Sequence, residues 1–374
     1  MIEVRKVANK HEKEIFLRFP WKIYRDDELW VPPLLPERRK EADPSQGMFF
    51  RSGYADFFIA WKYGQPVGTI CCSHEEGGEP AECSIGFFEC VNDYAVAEAL
   101  FKQAETWARE HGLTMLCGTY NLDRENGRGI LIEGWDRPPV FLCGHNPAYY
   151  GEFFERFGFG KRHDDGLAYA YEFKPDDPKI KRLFHLAEGV QKRKSFTIRT
   201  VDMNDVEGEI DRILFLQNRA LEHLPGFVPY SRAAIAGMLL PLKDMADPDL
   251  ILFAEDNGRA VGWFPAIQNF NEIVIHLNGL RYPWDYLRAL KYKHLKPKCL
   301  SVKSVAVLPE YWDTGVAILL FAEMGKRALA KGYEWADISL TGEDNPDTWD
   351  IAHHMGAKIY KRYRFYRKDI RPLV

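Results

Sequence analysis

The stretch of sequence that decides the fold lies in the last quarter of the chain: VKSVAVL (302–308), PEYWDTG (309–315) and an apolar run from Val316 to Leu329. The valine-rich part predicts a buried strand, the glycine-bearing part a turn, and the apolar run a helix. The first backbone N–H groups of such a helix lack partners within it, and the helix dipole favours negative charge there. We therefore predict that this helix start binds a phosphate, which the small residues Gly315 and Ala317 allow to approach the backbone closely.

The order of the elements after this helix narrows the fold. The helix is predicted to end near Lys331-Gly332, and it is followed by a strand over Glu334 to Leu340, a helix from Asn345-Pro346 to Gly356, and a final strand over Lys358 to Tyr366. This order resembles the GCN5-related N-acetyltransferase (GNAT) superfamily, in which a Gln/Arg-x-x-Gly-x-Gly/Ala turn holds the pyrophosphate of acyl-coenzyme A. The matching residues are Trp312 to Ala317 (WDTGVA). Both small residues fit, but Trp312 stands where the family usually has Gln or Arg, so backbone contacts would have to bind the phosphates.

Length and composition indicate a soluble globular protein with two domains. A chain of 374 residues is long for a single core. Its content of 46% hydrophobic, 28% charged and 14% aromatic residues argues against disorder. The net charge of -4 and the pI near 6.3 give no overall basic surface for nucleic acid.

Cysteine usage and hydropathy favour a cytoplasmic protein without a metal. Seven cysteines without paired spacing fit neither a disulfide framework nor a zinc site. The N-terminus, Met1 to Val7, has a strand pattern with charges and lacks the apolar core of a signal peptide. No stretch approaches the ~20 apolar residues of a membrane span.

The chain contains an internal repeat, which predicts two similarly folded halves. Ile2 to Val7 (IEVRKV) matches Phe196 to Val201 (FTIRTV). The hairpin motif GQPVG at 64–68 matches GRAVG at 258–262. Because both matches have the same offset of 194 residues, chance is an unlikely source of the similarity.

The two halves differ at the position of the phosphate turn. The run KPDDP (174–178) breaks both helix and sheet, so we predict a first domain, 1–175, and a second domain, 176–374. The first half enters the corresponding helix without a glycine, and the carboxylates of Glu89 and Asp93 would repel a phosphate. We therefore predict a coenzyme site in the second domain only, with the first domain shaping the substrate cleft or being a degenerate copy.

An insertion distinguishes the second half. Asn278 to Lys298 (NGLRYPWDYLRALKYKHLKPK) carries apolar residues at roughly helical spacing with basic residues among them. We expect a helix that packs on the sheet and exposes a solvated basic face. The alternative is a helix within residues 281–298 that makes peripheral contact with an anionic membrane or covers an acyl chain.

Acyl transfer from a thioester requires groups that hold the coenzyme, polarise the thioester carbonyl and accept a proton from the attacking amine. In the GNAT superfamily the strand before the phosphate turn splays from its neighbour. The resemblance places this gap between Val305–Val307 and Asp337–Ser339, where a strand N–H could polarise the carbonyl. It implies coenzyme contacts from Val305, Ala306, Val307, Trp312, Asp313, Thr314, Gly315, Val316, Ala317 and Asn345.

The residues that transfer protons are less clearly marked. Many superfamily members use a tyrosine as the general acid, and the corresponding position here is Ala352. Asp337 is a carboxylate among apolar neighbours and could act as a base. Glu343 follows the end of the same strand, while Asn345 suits the N-cap of the last helix. Tyr363 is a nearby proton donor, so we select Asp337, Glu343 and Tyr363 as catalytic candidates. The other candidates are His353, His354 and Tyr360.

Two polar segments are candidates for acceptor binding. Asn271 and Glu272 lie near the strand before the insertion, where one of them could face the substrate. The loop 120–129 is dense in hydrogen-bonding groups, among them Asn121 and Arg124. Long polar loops often bind ligands, although turn chemistry explains the Asn and Gly content almost as well. We take all four residues as candidate substrate contacts.

The C-terminal run KIYKRYRFYRKDIR (358–371) interleaves basic and aromatic residues. Such a run could bind single-stranded nucleic acid. The acidic balance of the chain favours instead an edge strand whose long cations prevent pairing with other chains. We therefore expect no nucleic-acid partner.

Over nearly its whole length the chain is similar to a two-lobed branch of the GNAT superfamily that includes bacterial ceramide-synthase-like acyltransferases. The residues that carry this resemblance are WVPPL (30–34), GFFEC (86–90), NPAYY (146–150), EDN (343–345) and YKRYR (360–364). The resemblance implies an α/β (α+β) protein with tandem GNAT folds, each a mixed, mostly antiparallel sheet flanked by helices. It also implies an acyl-CoA-dependent N-acyltransferase that transfers an acetyl or longer acyl group directly to a primary amine of a small molecule or lipid base.

Two alternative functions use the same scaffold. One is a non-catalytic protein that binds or senses acyl-CoA. The other is a transferase that uses aminoacyl-tRNA, which the net charge disfavours.

Overall fold

The computed structural model describes residues 1–122, 127–223, 229–240 and 246–370. Within these residues two β-sheets, one of seven strands and one of nine, form the framework, and helices flank both. Each sheet has a large apolar core, the first including Trp107 and Phe154 and the second Phe264 and Leu320. We call the seven-stranded sheet with its helices lobe 1 and the nine-stranded sheet with its helices lobe 2.

The strands, in chain order, are β1 (Ile2–Lys6), β2 (Gly53–Lys62), β3 (Gln65–Glu75), β4 (Glu82–Cys90), β5 (Met115–Gly118), β6 (Ile130–Glu133), β7 (Gly160–Lys161), β8 (Gly166–Glu172), β9 (Thr197–Thr200), β10 (Ile251–Asp256), β11 (Arg259–Gln268), β12 (Cys299–Val302), β13 (Ala306–Val307), β14 (Trp335–Gly342), β15 (Lys358–Arg364) and β16 (Tyr366–Asp369). The helices are α1 (Lys10–Arg18), α2 (Pro20–Ile23), α3 (Leu35–Glu41), α4 (Tyr94–Glu110), α5 (Tyr149–Arg156), α6 (Pro178–Arg193), α7 (Val206–Leu221), α8 (Arg232–Leu239), α9 (Asn271–Val274), α10 (Asp285–Tyr292), α11 (Val316–Lys331) and α12 (Pro346–Met355).

Both sheets are mixed and mostly antiparallel, which confirms the predicted fold class. The strand order is β1-β2-β3-β4-β5-β16-β7 in lobe 1 and β6-β15-β8-β14-β12-β11-β10-β9 in lobe 2, with β13 beside β11. The parallel pairs are β4 with β5 and β12 with β14. Gly68 faces Cys90 in lobe 1, and Gly262 faces Val307 in lobe 2. Because the two glycines are separated by the repeat offset of 194 residues, Cys90 and Val307 occupy equivalent positions.

The two lobes exchange strands, which the sequence did not indicate. β16, at the end of the chain, lies in lobe 1, whereas β6 and β8 from the first half lie on either side of β15 in lobe 2. β8 therefore does not complete the sheet of its own half, because it pairs with β14 and β15 of lobe 2. The predicted final strand is divided at Phe365, where the chain crosses from lobe 2 to lobe 1. The domain boundary near residue 175 stays a prediction.

The C-terminal run is not the edge strand that we expected. β15 lies between β6 and β8, and β16 lies between β5 and β7. The long cations are accommodated by local partners: Arg364 donates two hydrogen bonds to Asp165, and Arg362 pairs with Glu343 at 2.6 Å. Lys361 is fully buried and donates to two backbone carbonyls of the loop that follows β6, and burial lowers the pKa of Lys361 to about 8. These partners neutralise the charges inside the sheet, so the run needs no solvent-exposed edge.

The predicted strand over 302–308 forms with a break. β12 ends at Val302 and β13 begins at Ala306. Between them Ser304 has a positive φ of 47°, and its carbonyl accepts a hydrogen bond of 2.9 Å from the Gln217 side chain of α7. The break redirects the chain, so that β13 pairs with β11 and leaves β14.

The predicted turn and helix form as expected. The turn over Pro309–Thr314 is a short 3-10 helix, and α11 begins at Val316 directly after Gly315, which has a φ of 93°. α11 ends at Lys331, before Gly332 with a φ of 83°. Left-handed glycines at both ends set the length of this helix, because other residues disfavour that conformation.

The insertion does not pack its apolar residues on the sheet, contrary to our expectation. In α10 and the residue before it, Trp284, Tyr286, Leu287 and Leu290 are all more than half exposed, whereas Asp285 is fully buried. The helix is therefore rotated with its apolar side toward solvent. Among the described residues no helix combines the length and apolar character of a membrane span.

Candidate functional site

The central strands of lobe 2 diverge where we predicted the coenzyme gap. β12 and β14 pair in parallel up to Val302 and Ile338. Beyond that point β13 pairs with β11, while β14 continues along β8. The two strands therefore separate between Ala306–Val307 on one side and Ser339 on the other. We call this opening the lobe 2 gap.

The backbone N–H of Val307 points into the lobe 2 gap. The N–H of Leu308 donates to the carbonyl of Val261 at 2.9 Å, and successive backbone groups of a strand point to opposite sides. The N–H of Val307 therefore faces away from β11, toward the side from which β14 has separated. A donor fixed in this way can stabilise negative charge that develops on a carbonyl oxygen.

Trp312 contacts the end of β13. Its indole N–H donates to the carbonyl of Val307 at 2.9 Å, and its ring meets His223 edge-on at 5.2 Å. The side chain is 47% exposed. The indole thus satisfies the Val307 carbonyl, and the predicted phosphate turn would have only its backbone groups to offer a ligand.

The start of α11 has no side-chain cap. Its first intrahelical bond runs from the N–H of Leu319 to the carbonyl of Gly315 at 3.1 Å, so the N–H groups at 316–318 precede the helical ladder. The hydroxyl of Thr314 donates backwards to a carbonyl and does not cap the helix. Uncapped amides and the helix dipole together favour an anion at this position.

Gly315 also packs directly against α6. A Cβ atom on Gly315 would lie 2.6 Å from a methyl group of Val190, so the contact between α6 and α11 requires a glycine here. Val190 is followed by the basic run Lys192, Arg193 and Lys194 at the end of α6. These cations follow the Val190 contact directly in the chain, on the helix that packs against Gly315.

The remaining predicted coenzyme contacts surround this turn. Val305 lies half-buried in the strand break, Ala306 and Val316 are buried, and Ala317 is half-buried in the first turn of α11. Asp313 is exposed on the 3-10 turn.

At the equivalent positions of lobe 1, side chains of the same lobe fill the gap. The N–H of Cys90 donates to the hydroxyl of Tyr150, and the carbonyl of Cys90 accepts from the hydroxyl of Tyr149, both at 2.7 Å. The start of α4 is capped by Asp93, whose carboxylate accepts from the N–H of Ala95 at 3.1 Å. In lobe 1 the strand N–H and the start of the following helix, the two groups that we predict to bind the coenzyme in lobe 2, therefore both have side-chain partners.

Asn121, a predicted substrate contact, is also one of the lobe 1 side chains that bond to the backbone of β4. Its side-chain oxygen accepts a hydrogen bond of 2.9 Å from the N–H of Phe87. Nearby, the carboxylate of Glu89 accepts from the hydroxyls of Tyr24 and Tyr150 at 2.9 and 2.8 Å. Burial raises the pKa of Glu89 to about 7.

Asp337 lies fully buried at the base of the lobe 2 gap. One carboxylate oxygen accepts from the hydroxyl of Tyr360 at 2.7 Å, and the other accepts from Ser339 at 2.6 Å and from the ammonium of Lys303 at 3.2 Å. Burial alone would lower the pKa of Lys303, but the Asp337 carboxylate raises it overall. We call Asp337, Lys303, Ser339 and Tyr360 the Asp337 cluster; it holds a buried ion pair beside the strand that carries Val307.

A loop from the first half of the chain covers the Asp337 cluster. The Cys143 sulfur lies 3.2 Å from the Ser339 hydroxyl, and the hydroxyl of Tyr363 donates to the carbonyl of Gly144 at 3.0 Å. Burial raises the pKa of both Tyr363 and Cys143, which keeps the two groups protonated at neutral pH. The structure thus brings the catalytic candidates Asp337 and Tyr363 into one buried network.

Glu343 lies outside this network. It follows Asp337 by six positions along an extended strand, about 20 Å. Its carboxylate pairs with Arg362 at 2.6 Å, and this guanidinium lowers the pKa of Glu343. Asn345 directly precedes α12, and its carbonyl accepts from the N–H of Trp349 at 3.2 Å, which is the geometry of the predicted N-cap position.

Asn271 and Glu272 line a cavity of about 310 Å³ beside the insertion. The carboxylate of Glu272 accepts from the two N–H groups at 298–299, and the amide of Asn271 donates to a lobe 1 carbonyl. Both side chains therefore have partners in the wall of the cavity. Arg124, the fourth predicted substrate contact, lies outside the described residues.

Sequence reasoning missed the partners of Asp337. The sequence did hold a signal for Lys303, which lies within an apolar stretch, because a buried cation requires a counter-charge. Cys143 gave no such signal, since it follows a run of loop residues and meets Ser339 only through the strand exchange. Among the described residues no group of three or more His, Cys, Asp or Glu side chains is placed to hold a metal ion.

The fold and the lobe 2 gap define the class: the chain has the tandem GNAT fold. A solved tandem GNAT protein from the clavulanic acid biosynthesis pathway superposes on this chain with a TM-score of 0.61 and 13% sequence identity. The superposition covers 100% of both chains. No family model matches the chain.

Two curated relatives match nearly the full length. A bacterial ceramide synthase from Caulobacter vibrioides is 28% identical over 379 residues, which cover 99% of this chain and 98% of that protein. Protein YghO from Escherichia coli is 28% identical over 383 residues, covering 98% of this chain and 95% of that protein. These findings confirm the predicted tandem GNAT fold and the predicted similarity to a bacterial ceramide synthase, and they support an acyltransferase.

Proposed function

We propose that the protein is an acyl-CoA-dependent N-acyltransferase that transfers an acetyl or longer acyl group directly to a primary amine of a small molecule or lipid base. One observation carries the proposal, a difference between the equivalent residues Cys90 and Val307. In lobe 1 the N–H and the carbonyl of Cys90 both bond to tyrosine hydroxyls, whereas in lobe 2 the N–H of Val307 faces a gap. The helix that follows is capped by Asp93 in lobe 1 and has no side-chain cap in lobe 2. One acyl-CoA would therefore bind per chain, in lobe 2.

The donor would be held by backbone groups at two positions. The N–H groups at 316–318 would bind the diphosphate, with Lys192 and Arg193 adding positive charge from α6. Acyl-CoA supplies the acyl group as an activated thioester. The Val307 N–H would donate to the thioester carbonyl and stabilise the charge that develops on its oxygen during attack.

The Asp337 cluster would receive the proton that leaves the attacking amine. The Ser339 hydroxyl bonds to Asp337 at 2.6 Å, which gives a short path from the gap to the buried carboxylate. The Lys303 ammonium pairs with the Asp337 carboxylate at 3.2 Å and holds it in place. Tyr363 would act as a positioning residue that holds the covering loop through Gly144.

A lipid base is the acceptor that the sequence similarity supports. Ceramide is an N-acylated lipid base, and a bacterial ceramide synthase matches the chain over 379 residues. Two cavities beside the insertion, of about 360 and 310 Å³, have room for part of such an acceptor. The first is lined in part by Trp21, Trp30 and His276, and His276 also lines the second.

Release of the coenzyme A thiol tests this proposal. Short- and long-chain acyl-CoAs are incubated with the protein and a panel of small primary amines and lipid bases, and free thiol and N-acyl product are measured together. We expect thiol release that depends on the amine and matches the product one to one. If acyl-CoA binds but no amine causes thiol release, the result would contradict the N-acyltransferase and favour a non-catalytic acyl-CoA-binding protein.

A non-catalytic acyl-CoA-binding protein is the second candidate. The observation that favours it is the saturation of Asp337, whose two oxygens already have four hydrogen-bonding partners: Ser301, Lys303, Ser339 and Tyr360. Four donors fill the four lone-pair positions of a carboxylate, so Asp337 offers no free position to a group of the substrate. The thiol-release measurement separates the two candidates.

A further inference from the structure

The outer face of α10 carries a cluster of exposed apolar side chains. Trp284 is 57% exposed, Tyr286 51%, Leu287 68% and Leu290 61%. Elsewhere in the described residues the exposed large apolar side chains occur singly or are separated along the chain. Single exposed residues are normal on protein surfaces, but a contiguous cluster on one helix marks a contact surface.

Polar contacts on the opposite side hold α10 in this orientation. The buried carboxylate of Asp285 accepts from the N–H of Tyr282 at 2.9 Å and from the amide of Asn278 at 3.1 Å. Asn278 in turn accepts from the indole of Trp21 in α2 at 3.0 Å. Tyr292, on the same inner side, stacks on His276 at 4.3 Å. The apolar side is thus directed outward by specific contacts with the body of the protein.

The same segment is strongly basic. Residues 281–298 contain six lysines and arginines and one acidic residue, Asp285, in a chain whose net charge is -4. Asp285 is fully buried and forms an ion pair with Arg288 at 3.7 Å, so the outward positive charge of the segment comes mainly from its lysines. The exposed cations include Arg288, Lys291 and Lys293, which lie beside the apolar cluster.

We propose that the segment 281–298 docks the protein on the surface of an anionic lipid bilayer. Trp284, Leu287 and Leu290 would enter the boundary between headgroups and acyl chains, and the neighbouring lysines would meet lipid phosphates. A second copy of this chain is a poorer partner, because a twofold contact would bring two basic segments face to face. Charge complementarity therefore selects a negatively charged lipid surface.

Docking in this orientation would bring two cavities to the membrane. The cavity of about 360 Å³ is lined by Arg281 and Arg288, and the cavity of about 310 Å³ by Leu295 and Lys296. All four residues belong to the docking segment, so a lipid could pass from the bilayer to either cavity over a short distance. The docking itself does not depend on the proposed acyl transfer.

Sedimentation of the full chain with lipid vesicles tests the docking. We expect binding to vesicles of phosphatidylcholine with phosphatidylglycerol, weaker binding in high salt, and little binding to phosphatidylcholine alone. The double variant L287S/L290S is expected to lose about tenfold or more in affinity, because it removes most of the inserted apolar surface. The variant K291E/K293E is expected to lose affinity for anionic vesicles by a similar factor, with no change in its weak binding to phosphatidylcholine alone.

Leu186→Ser provides the matched control. Leu186 is 44% exposed on α6, away from the insertion, and its replacement should leave vesicle binding unchanged. The docking variants change exposed side chains, and unchanged thermal unfolding establishes that they fold. Absence of vesicle binding by the wild type, or equal binding by L287S/L290S, overturns the proposal. So does a wild-type dimer that L287S/L290S converts to a monomer in light scattering, since the face would then join two copies.

Discussion

Asp337 is the residue on which the proposed proton transfer depends, and its environment makes the role testable. Asp337→Asn keeps the shape and can still accept the Tyr360 hydroxyl, but it removes the negative charge opposite Lys303. We expect amine-dependent thiol release to fall by about 10²-fold, the usual range for loss of a general base. Coenzyme A affinity, measured by calorimetry, is expected to stay unchanged because the proposed diphosphate contacts lie on α11.

Glu343→Gln is the control for this variant. Glu343 pairs with Arg362 outside the Asp337 cluster, so its replacement should leave thiol release unchanged. Because Asp337→Asn leaves the Lys303 charge buried without its partner, the variant is expected to lose about 3–5 kcal/mol of stability, measured by urea unfolding. The activity assay is therefore run at a temperature at which both the variant and the wild type are folded. A full rate in Asp337→Asn together with a large loss in Glu343→Gln would assign the proton transfer to Glu343 instead.

Glu89 gives a pH test of the buried network in lobe 1. Burial raises the pKa of Glu89 from 4.5 to about 7, so the folded state binds this proton more tightly than the unfolded state. The resulting stability is fully present below about pH 4.5 and is lost as the pH rises through about 7. Glu89→Gln cannot ionise, and it should become more stable relative to wild type between about pH 5 and 8, by up to about 3 kcal/mol.

Urea unfolding at several pH values measures this difference. Glu79→Gln, at an exposed turn, is the control for a neutralised glutamate. A difference between Glu89→Gln and wild type that stays constant with pH would mean that Glu89 is ionised in both states.

At the scale of elements, the contact between α6 and α11 fixes the phosphate turn. In Gly315→Ala the new methyl group would meet Val190 at 2.6 Å and the residue would keep a φ of 93°. The strained backbone costs about 1–2 kcal/mol and the overpacked contact about 1–3 kcal/mol. We expect a total loss of about 2–5 kcal/mol in the free energy of unfolding, measured with urea.

Gly332→Ala at the other end of α11 is the matched control. Gly332 has a similar φ of 83°, but nothing lies within 4 Å of a Cβ atom there. Its replacement should therefore cost only the backbone part, about 1–2 kcal/mol. Adding Val190→Ala to Gly315→Ala should recover part of the packing loss. Equal losses for the two glycine variants would show that Val190 does not restrict the turn.

The elements that local sequence could predict are those whose causes are local. The valine-rich strand, the glycine-bearing turn and the apolar helix over 302–331 follow from propensity and periodicity. The orientation of α10 could not be predicted, because periodicity identifies an apolar side without identifying what covers it. Asp285 decides that orientation through partners that come close only in the folded chain.

At the scale of the whole molecule, the strand exchange makes each half depend on the other. β16 joins lobe 1 from the end of the chain, and β6 and β8 join lobe 2 from the first half. Fragments cut at the predicted boundary, 1–175 and 176–374, would each lack strands of their own sheet. We expect neither fragment to unfold cooperatively by circular dichroism, and we expect cooperative unfolding to return when the two are coexpressed. A fragment that folds alone with native stability would contradict this dependence.

The sequence repeat predicted the two lobes, but not the exchange between them. The offset of 194 residues aligns Gly68 with Gly262 and thereby the equivalent positions Cys90 and Val307. A strand such as β8, which is apolar at nearly every position, can pair within either sheet, so its partners are decided by the assembled fold. The part of the candidate site that depends on the exchange, the loop with Cys143, was accordingly missed.

Calorimetry with coenzyme A tests the central claim most directly. Ala317→Asp places a carboxylate in the first turn of α11, where it favours the helix but repels a diphosphate. Ala95→Asp makes the same change at the equivalent position of α4 in lobe 1. We predict one coenzyme A per wild-type chain, an affinity at least about tenfold lower in Ala317→Asp, and unchanged binding in Ala95→Asp. No binding to the wild type, or a loss confined to Ala95→Asp, would contradict a coenzyme site at the start of α11.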